Sequence, residues 1–272
     1  MSKAESTKLM QSWTLPETGT LQTRIDEMIR PAILAGCFIT SPTAIVGGLQ
    51  YHLGGEEDTR QLAELAGISR EDSVIDVCSY LGGPALQLAE SYGCRVVGID
   101  ISEDFIAAAR RIAELAGFSD RVTFQAANAR DLDFDDGRFT VVWCQGSLEH
   151  DEAWLREFDR VLAPEGRLAL TLAIRGSSPN AHSPMWTLDD VAAKVRDMGY
   201  SIQHLEDITD RDIEIGWSAL DQKLHDGESL FAAALGADWV RDAHAKFAEE
   251  IRTMRQGRWG NGRIVARKAG AR

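Results

Sequence analysis

Between residues 71 and 175 the chain alternates short β-rich runs with amphipathic segments, and nothing else in the sequence limits the fold as much. The β-rich runs are SVIDV (73–77), RVVGID (95–100), RVTFQ (121–125), FTVVWC (139–144) and RLALTLAI (167–174). The helical segments are PALQLAESYG, EDFIAAARRIAELAG and EAWLREFDRVL. In the second of these, Phe105, Ile106, Ala109, Ile112, Ala113 and Ala116 fall on one face. Pro84 suits a first helical turn, Ser102 an N-cap and Gly93 a helix end. Strands alternating with helices build right-handed βαβ units around a parallel sheet.

The flanks break this rhythm. Residues 1–20 read as a loosely held terminus, and Leu21, Ile25, Met28 and Ile29 then set a helical pattern. Thr59 is placed to cap a short helix, RQLAELAG, that Gly67 ends. After residue 175 comes a loop, SSPNAHSP (177–184), and a helix, TLDDVAAKVRDMG, with Leu188, Val191, Ala192, Val195 and Met198 on one face. SIQHLEDI (201–208) resembles a sixth strand, residues 210–256 a mostly helical insertion, and WGNGRIVARK (259–268) a last strand, antiparallel at the sheet edge. The expected organisation is an N-terminal helical segment or lid (1–70), a Rossmann-like core (71–175), and a C-terminal part (176–272) with insertion 210–257 as a cap.

At 272 residues the chain suits one large domain, or a core with a smaller appendage. Its 29 Lys+Arg and 42 Asp+Glu give a net charge of −13, which argues against a nucleic-acid partner. The charge is uneven, because residues 246–272 carry 8 basic and 2 acidic residues, net +6. Cys37, Cys78, Cys94 and Cys144 are scattered, with no CxxC pair and no apolar leader before them. Reduced thiols in a cytoplasmic protein are the plain expectation. Pro31–Gly55 contains no Asp, Glu, Lys or Arg, but two prolines and five glycines make it a buried helix plus loop rather than a membrane span. A homo-oligomer is left open. The six histidines show no HxH or HxxxH spacing, so no metal is expected, and there is no P-loop or Gly-x-Ser-x-Gly elbow.

Ligands of open α/β sheets bind beyond the carboxyl ends of the strands. There the chain has a turn, VIDVCSYLGGPA, whose Gly82 and Gly83 would let the backbone approach a ligand, and Asp100, placed to accept bonds from ribose hydroxyls. The dinucleotide fingerprint G-x-G-x-x-G is absent. The first strand instead ends in an acid, Asp76, which suits a cofactor with an ammonium group rather than a pyrophosphate. S-adenosylmethionine is such a cofactor. The plainer use of Asp76 is to order the turn.

In this order the motifs resemble the class I S-adenosylmethionine-dependent methyltransferases, and within them the branch of sarcosine/dimethylglycine-type small-molecule enzymes. The resemblance covers about residues 50–175. It rests on YHLGGEEDTRQLAELAGI, VIDVCSYLGGPALQLAESYGCRVVGIDIS, RVTFQAANARDLDF and WCQGSLEH. It implies a mostly parallel seven-stranded sheet with helices on both faces and a helical cap. It also implies that Asp76, Gly82 and Gly83 line the methionine part of the cofactor and that Asp100 holds the ribose. Ile101, Asn128 and Ala129 would surround adenine, Gln145 would lie near the sulfonium, and His52 or Gly54 near the carboxylate end. Asn128 stands where the family usually has Asp, and its amide oxygen still accepts a hydrogen bond. The turn departs from the family at Cys78 and Tyr80, where glycines are usual. Either the turn is displaced or the Tyr80 phenol lines the pocket.

The implied reaction is methyl transfer to a small molecule, with an amine nitrogen favoured and oxygen or sulfur open. His150 is the first candidate base, and the alternative is a hydrogen-bonded structural residue. Tyr80 is the second catalytic candidate, and Glu149, His182 and His225 follow. Trp143, Trp186, Trp217 and Trp239 either cage a cation or, as aromatics more often do, fill a core. Arg258 and Arg263 either pair with a substrate carboxylate or lie solvated on an edge strand, the plainer use. Two further readings keep the cofactor. One is an enzyme of this fold with lyase, cyclase or dehalogenation chemistry, and the other is a non-catalytic binding protein.

Overall fold

A computed structural model describes residues 3–38, 41–181 and 184–270. Five strands form the parallel part of one sheet: β1 (Ser73–Val77), β2 (Arg95–Asp100), β3 (Val122–Ala126), β4 (Phe139–Gln145) and β5 (Leu162–Arg175). Two more strands, β6 (Tyr200–Asp207) and β7 (Trp259–Lys268), complete the order β3-β2-β1-β4-β5-β7-β6. Between them run α5 (Gly83–Tyr92), α6 (Glu103–Ala116), α7 (Glu152–Val161) and α8 (Leu188–Asp197). The caps follow the sequence signals. Ser102 accepts from the Phe105 amide, Pro84 opens α5, and Gly93 and Gly117 close α5 and α6 in the left-handed conformation. The α6 face that buries Ile106, Ala109, Ile112 and Ala113 packs on β2 and β3.

β7 corrects an expectation. It is antiparallel, but it lies between β5 and β6 rather than at the edge. Ile264, Val265 and Ala266 are almost fully buried, as an inner strand's residues are. The long return through residues 208–258 brings the chain back to this slot.

The helices outside the core are α1 (Lys3–Gln11), α2 (Leu21–Leu34), α3 (Pro42–Gly47) and α4 (Gly55–Ala66) at the start. On the C-terminal side they are α9 (Thr209–Arg211), a π-helix (Asp212–Trp217), α10 (Ser218–Asp226), α11 (Glu228–Leu235) and α12 (Ala237–Arg255). α10 packs on α3 and α11 on α2. Ile25 and Ile29 share one apolar cluster with Leu220, Leu224, Phe231 and Phe247. The described part of residues 1–20 is tied down more than expected, because Trp13 is buried in the same cluster. α4 also starts earlier than expected. Gly54 is its N-cap, and Thr59, not a cap, sits within the helix. The uncharged stretch 31–55 holds the end of α2 and the short α3 among its described residues. Among the described residues no helix is long and apolar enough to cross a membrane.

Candidate active site

A cavity of about 250 Å³ lies beyond the carboxyl ends of β1, β4 and β5. Its lining includes Asp76 near the end of β1 with Cys78, Ser79 and Tyr80 after it, and Gln145 at the end of β4 with Gly146 and Ser147 after it. A smaller cavity of about 160 Å³ is lined by Asp100, Ile101, Asn128, Ala129 and, again, Cys78. Cys78 therefore marks where the two adjoin. Parallel register explains the meeting, because Asp76 pairs with Gly98 on β2 and with Trp143 on β4, which brings three strand ends to one level.

The turn after β1 keeps a glycine-like backbone without the glycines. Cys78 and Tyr80 have φ of 61° and 50°, in the left-handed region. Each such residue costs roughly 1–3 kcal/mol and persists only where its surroundings enforce it. Here the enforcement is visible. The Tyr80 amide donates to Asp100 Oδ2 at 3.1 Å, the Ser79 amide to the Ile99 carbonyl at 2.8 Å, and the Gly82 amide to the Ser79 carbonyl at 2.7 Å. The turn is thus pinned to β2. The Tyr80 ring is buried edge-on against Phe105 and beside Tyr51, and it lines the larger cavity.

Gly82 and Gly83 line neither cavity. A methyl group on Gly82 would stand 2.4 Å from the Phe124 ring, and one on Gly83 would stand 2.5 Å from the Leu49 carbonyl oxygen. Their smallness serves the packing of helix, strand and loop. Gly54 is likewise a packing residue, since a methyl group there would stand 2.8 Å from Asp58 Cβ.

Asp76 tests whether the site fits an ammonium. It is 2% exposed, and its Oδ2 has no hydrogen-bond partner. Burial, reinforced by the Asp100 carboxylate, pushes its carboxyl up to about 8. A buried oxygen left unpaired is costly, so the site suits a ligand that brings a cation and hydrogen-bond donors. Asp100 is also pushed up by burial, although the Tyr80 and Ser102 amides counter this. Ile101 is 77% exposed and lines the smaller cavity beside Asn128 and Ala129, where its side chain is free to pack on a flat ring. Asn128 Oδ1 accepts from the Arg130 amide at 3.0 Å, which fixes its side chain. The residues present fit an ammonium, a ribose and a base along one line.

At the far end of the larger cavity the sequence singles out His52, Gln145, Trp217 and Arg263 but not Asp58, Asp212 or Asn261. Asp58 is its hub. Its Oδ1 accepts from Arg211 at 2.7 Å and from Arg263, and its Oδ2 accepts from Gln145 at 2.9 Å. Gln145 Oε1 accepts from Thr59 at 3.0 Å and from the Trp143 indole at 3.1 Å. His52 lies against Thr59 and the Leu53 carbonyl with its side chain largely buried, and burial pushes its pKa down despite Asp58 nearby. Asp212 and Asn261 bond each other at 2.7 Å beside this hub. Tyr51, Trp217 and Trp259 complete an aromatic wall with Tyr80. The three charged residues that line the cavity are aspartates, and no Lys or Arg lines it. The WGNG stretch was the available signal, because a strand interrupted by glycines marks a close approach of other groups.

Two expectations give way here. Arg263 is neither solvated nor open to a substrate carboxylate. It is 3% exposed and bound to Asp58, with Glu206 at 3.2 Å. His150 does not line either cavity. Its Nδ1 accepts from the Trp186 amide at 3.0 Å, the ring packs edge-on against Trp186, and burial pushes its pKa down. Trp143 and Trp217 are buried, and Trp186 and Trp239 are half-buried. Glu149 lines the smaller cavity and pairs with Arg130. His225 lines neither cavity, and His182 lies outside the described residues. Among the described residues no group of acidic, His or Cys side chains could hold a metal.

Residues 74–166 match the family model of a methyltransferase domain. Over those residues the chain carries a methyltransferase domain. Over 145 residues it is 37% identical to the methyltransferase GfsG of Streptomyces halstedii, a match covering 52% of this chain and 49% of that protein. The chain spans about half the length of the curated relatives it matches. A candidate sarcosine dimethylglycine methyltransferase of Galdieria sulphuraria shares the fold, with a TM-score of 0.69 and 17% identity over 79% of this chain and 85% of that one. So does the [4+2]-cyclase SpnF, with a TM-score of 0.68 and 20% identity over 95% of this chain and all of that one. The cofactor of this domain family is S-adenosylmethionine.

Proposed function

We propose that the protein transfers a methyl group from S-adenosylmethionine to a small-molecule amine. The observation that carries the amine reading is the lining of the larger cavity, where the Asp212 carboxylate stands among four aromatic rings with no Lys or Arg on the wall, while Asp58 is already paired with Arg211 and Arg263. Such a wall suits a cation and disfavours a carboxylate or phosphate.

When bound, the cofactor supplies a methyl group already activated on a sulfonium. Asp76 holds the ammonium of its amino-acid end, Asp100 the ribose hydroxyls, and Ile101, Asn128 and Ala129 the adenine. Gln145 is locked by Thr59, Trp143 and Asp58, so it presents a fixed amide at the join between the two ends. Leu49, Leu53, Leu172 and Ile208 exclude water from the cavity, which strengthens the aspartates' hold on a cation. Alignment and dryness supply most of what such a displacement needs. The helices of residues 1–70 and 210–257 act together as the cap over the acceptor, and the work is done in the cytoplasm.

The test is incubation with S-adenosylmethionine and a panel of amines, alcohols and thiols, followed by mass spectrometry. N-methylated amines and S-adenosylhomocysteine are expected. Methylated alcohols alone would overturn the amine reading. Because a cyclase shares the fold, binding without any S-adenosylhomocysteine would turn the reading to non-methylating chemistry.

A further inference from the structure

Each of the three aspartates lining the larger cavity has a different set of partners. Asp76 lies at the strand ends. Asp58 is consumed, with Arg211 and Arg263 on one oxygen and Gln145 on the other. Asp212 has an oxygen to spare. Its Oδ2 takes the Asn261 amide at 2.7 Å, while the donor found for Oδ1 is Arg211 at 3.4 Å. The side chain is 4% exposed and still lines the cavity.

The backbone around it is unusual. Asp212–Trp217 is one turn of π-helix, a rare form that concentrates at functional sites. Its two ends, Asp212 and Trp217, both line the cavity. The Trp217 indole N–H is fixed on Met254 sulfur at 3.2 Å and that of Trp259 on Thr253 at 3.0 Å, so both rings are held in place beside the carboxylate.

We propose that Asp212 binds the acceptor amine as its ammonium and then takes the proton that must leave before the nitrogen can be methylated. This rests on the amine reading above. The ammonium N–H bond breaks and its proton passes to Oδ1. The freed electron pair forms the N–C bond as the methyl–sulfur bond breaks, with that bond's pair staying on sulfur. Asp212 returns the proton to water once the product leaves.

The surroundings suit both roles. Asp58 from α4, Arg211 from α9, and Arg263 and Asn261 from β7 face the carboxylate. Burial and Asp58 push its pKa up to about 6, against the pull of Asn261 and the two arginines. At neutral pH it is ionised and can hold a cation, yet it is more basic than a free carboxylate. Asp58 is held more tightly, because two arginines share its Oδ1 and Gln145 takes its Oδ2, whereas Asp212 Oδ1 has a single long contact to Arg211.

The test uses the full chain loaded with S-adenosylhomocysteine and two probes of one shape, the cation choline and its neutral isostere 3,3-dimethylbutan-1-ol. Calorimetry is expected to show choline bound at least about tenfold more tightly. Asp212→Asn is expected to abolish that preference and to leave S-adenosylhomocysteine affinity and the isostere unchanged, while Asp212→Glu restores part of it. With an accepted amine from the panel, the acid limb of the rate profile near pH 6 disappears in Asp212→Asn. An Asp212→Asn protein that keeps the preference overturns the assignment and leaves the amine reading standing. A wild-type protein that methylates only alcohols, or does not bind S-adenosylhomocysteine, overturns both. Should Asp212→Asn not fold, Asp212→Glu with a shifted acid limb supports the role and an unshifted limb overturns it.

Discussion

The two ends of the larger cavity are built by different physics. The cofactor end is local, with Asp76, Cys78 and Tyr80 within five positions of one another and a turn pinned to the neighbouring strand. The acceptor end is assembled from far apart in the chain, since Asp58 meets Arg263 across 205 positions and Arg211 across 153. The local end holds one unpaired, buried carboxylate oxygen that awaits a ligand. The distant end is a network of ion pairs and hydrogen bonds that holds α4, α9 and β7 together, with Arg211 Nη2 and Arg263 Nε left unpaired inside it.

The contrast predicts its largest effect at Arg263. Removing one member of a buried ion pair leaves the other uncompensated, a loss of about 3–5 kcal/mol. Arg263→Ala is expected to lower the unfolding free energy read from a urea titration by that amount and to loosen the acceptor end. An unfolding free energy within about 0.5 kcal/mol of wild type would show that the hub contributes nothing to stability.

The second effect belongs to Asp76. Its folded pKa is raised, so the unliganded protein holds a proton that the unfolded chain releases between about pH 4 and 8. The sign is therefore a stability that falls as pH rises through that window. Binding an ammonium displaces the proton, so S-adenosylhomocysteine affinity is expected to rise with pH from 6 to 8, by up to about tenfold per unit. Calorimetry in buffers of differing ionisation enthalpy reads the released proton directly. Asp76→Asn is expected to weaken binding by about 2–5 kcal/mol and to erase both slopes. A pH-independent affinity in the wild type would contradict the unpaired carboxyl.

How far the sequence went follows the same division. Capping residues and strand ends act within a few positions, so Ser102, Pro84, Gly93, Asp76 and Asp100 took the places their chemistry suggested. Thr59 did not, because a threonine before a helical run looks like a cap whether or not the helix has already begun at Gly55. Arg263 was read as solvated because its neighbours on the chain are polar or small. Its real neighbours, Asp58 and Glu206, arrive only when β7 inserts between β5 and β6. Asp212 gave no periodic signal, since a π-turn has no pattern that a 3.6-residue period detects.

A third prediction separates packing from ligand contact within the turn. Gly82 has φ of +85° and stands against the Phe124 ring, so Gly82→Ala combines backbone strain with a clash. The expected loss is about 1–3 kcal/mol of stability, with S-adenosylhomocysteine affinity nearly unchanged in the protein that folds. Thermal unfolding with and without ligand resolves the two. A normal melting temperature with affinity lost would return the glycine to the ligand.

The smallest effect is expected at His150, and it decides between sequence position and geometry. A histidine after the fourth strand has the ordinary pKa of a base, but this ring's Nδ1 already accepts from the Trp186 amide. Burial also pushes its pKa down, which weakens it as a proton acceptor at neutral pH. A positioned general base contributes about 10²–10⁴ in rate, so its loss cannot be hidden. His150→Gln keeps a side-chain acceptor for Trp186 and removes the imidazole. It is expected to hold methyl transfer to an accepted amine within about twofold, because proton removal falls to the aspartate at the other end of the cavity. A loss of about a hundredfold with stability intact would move the base back to the strand end and leave Asp212 as a binding group alone.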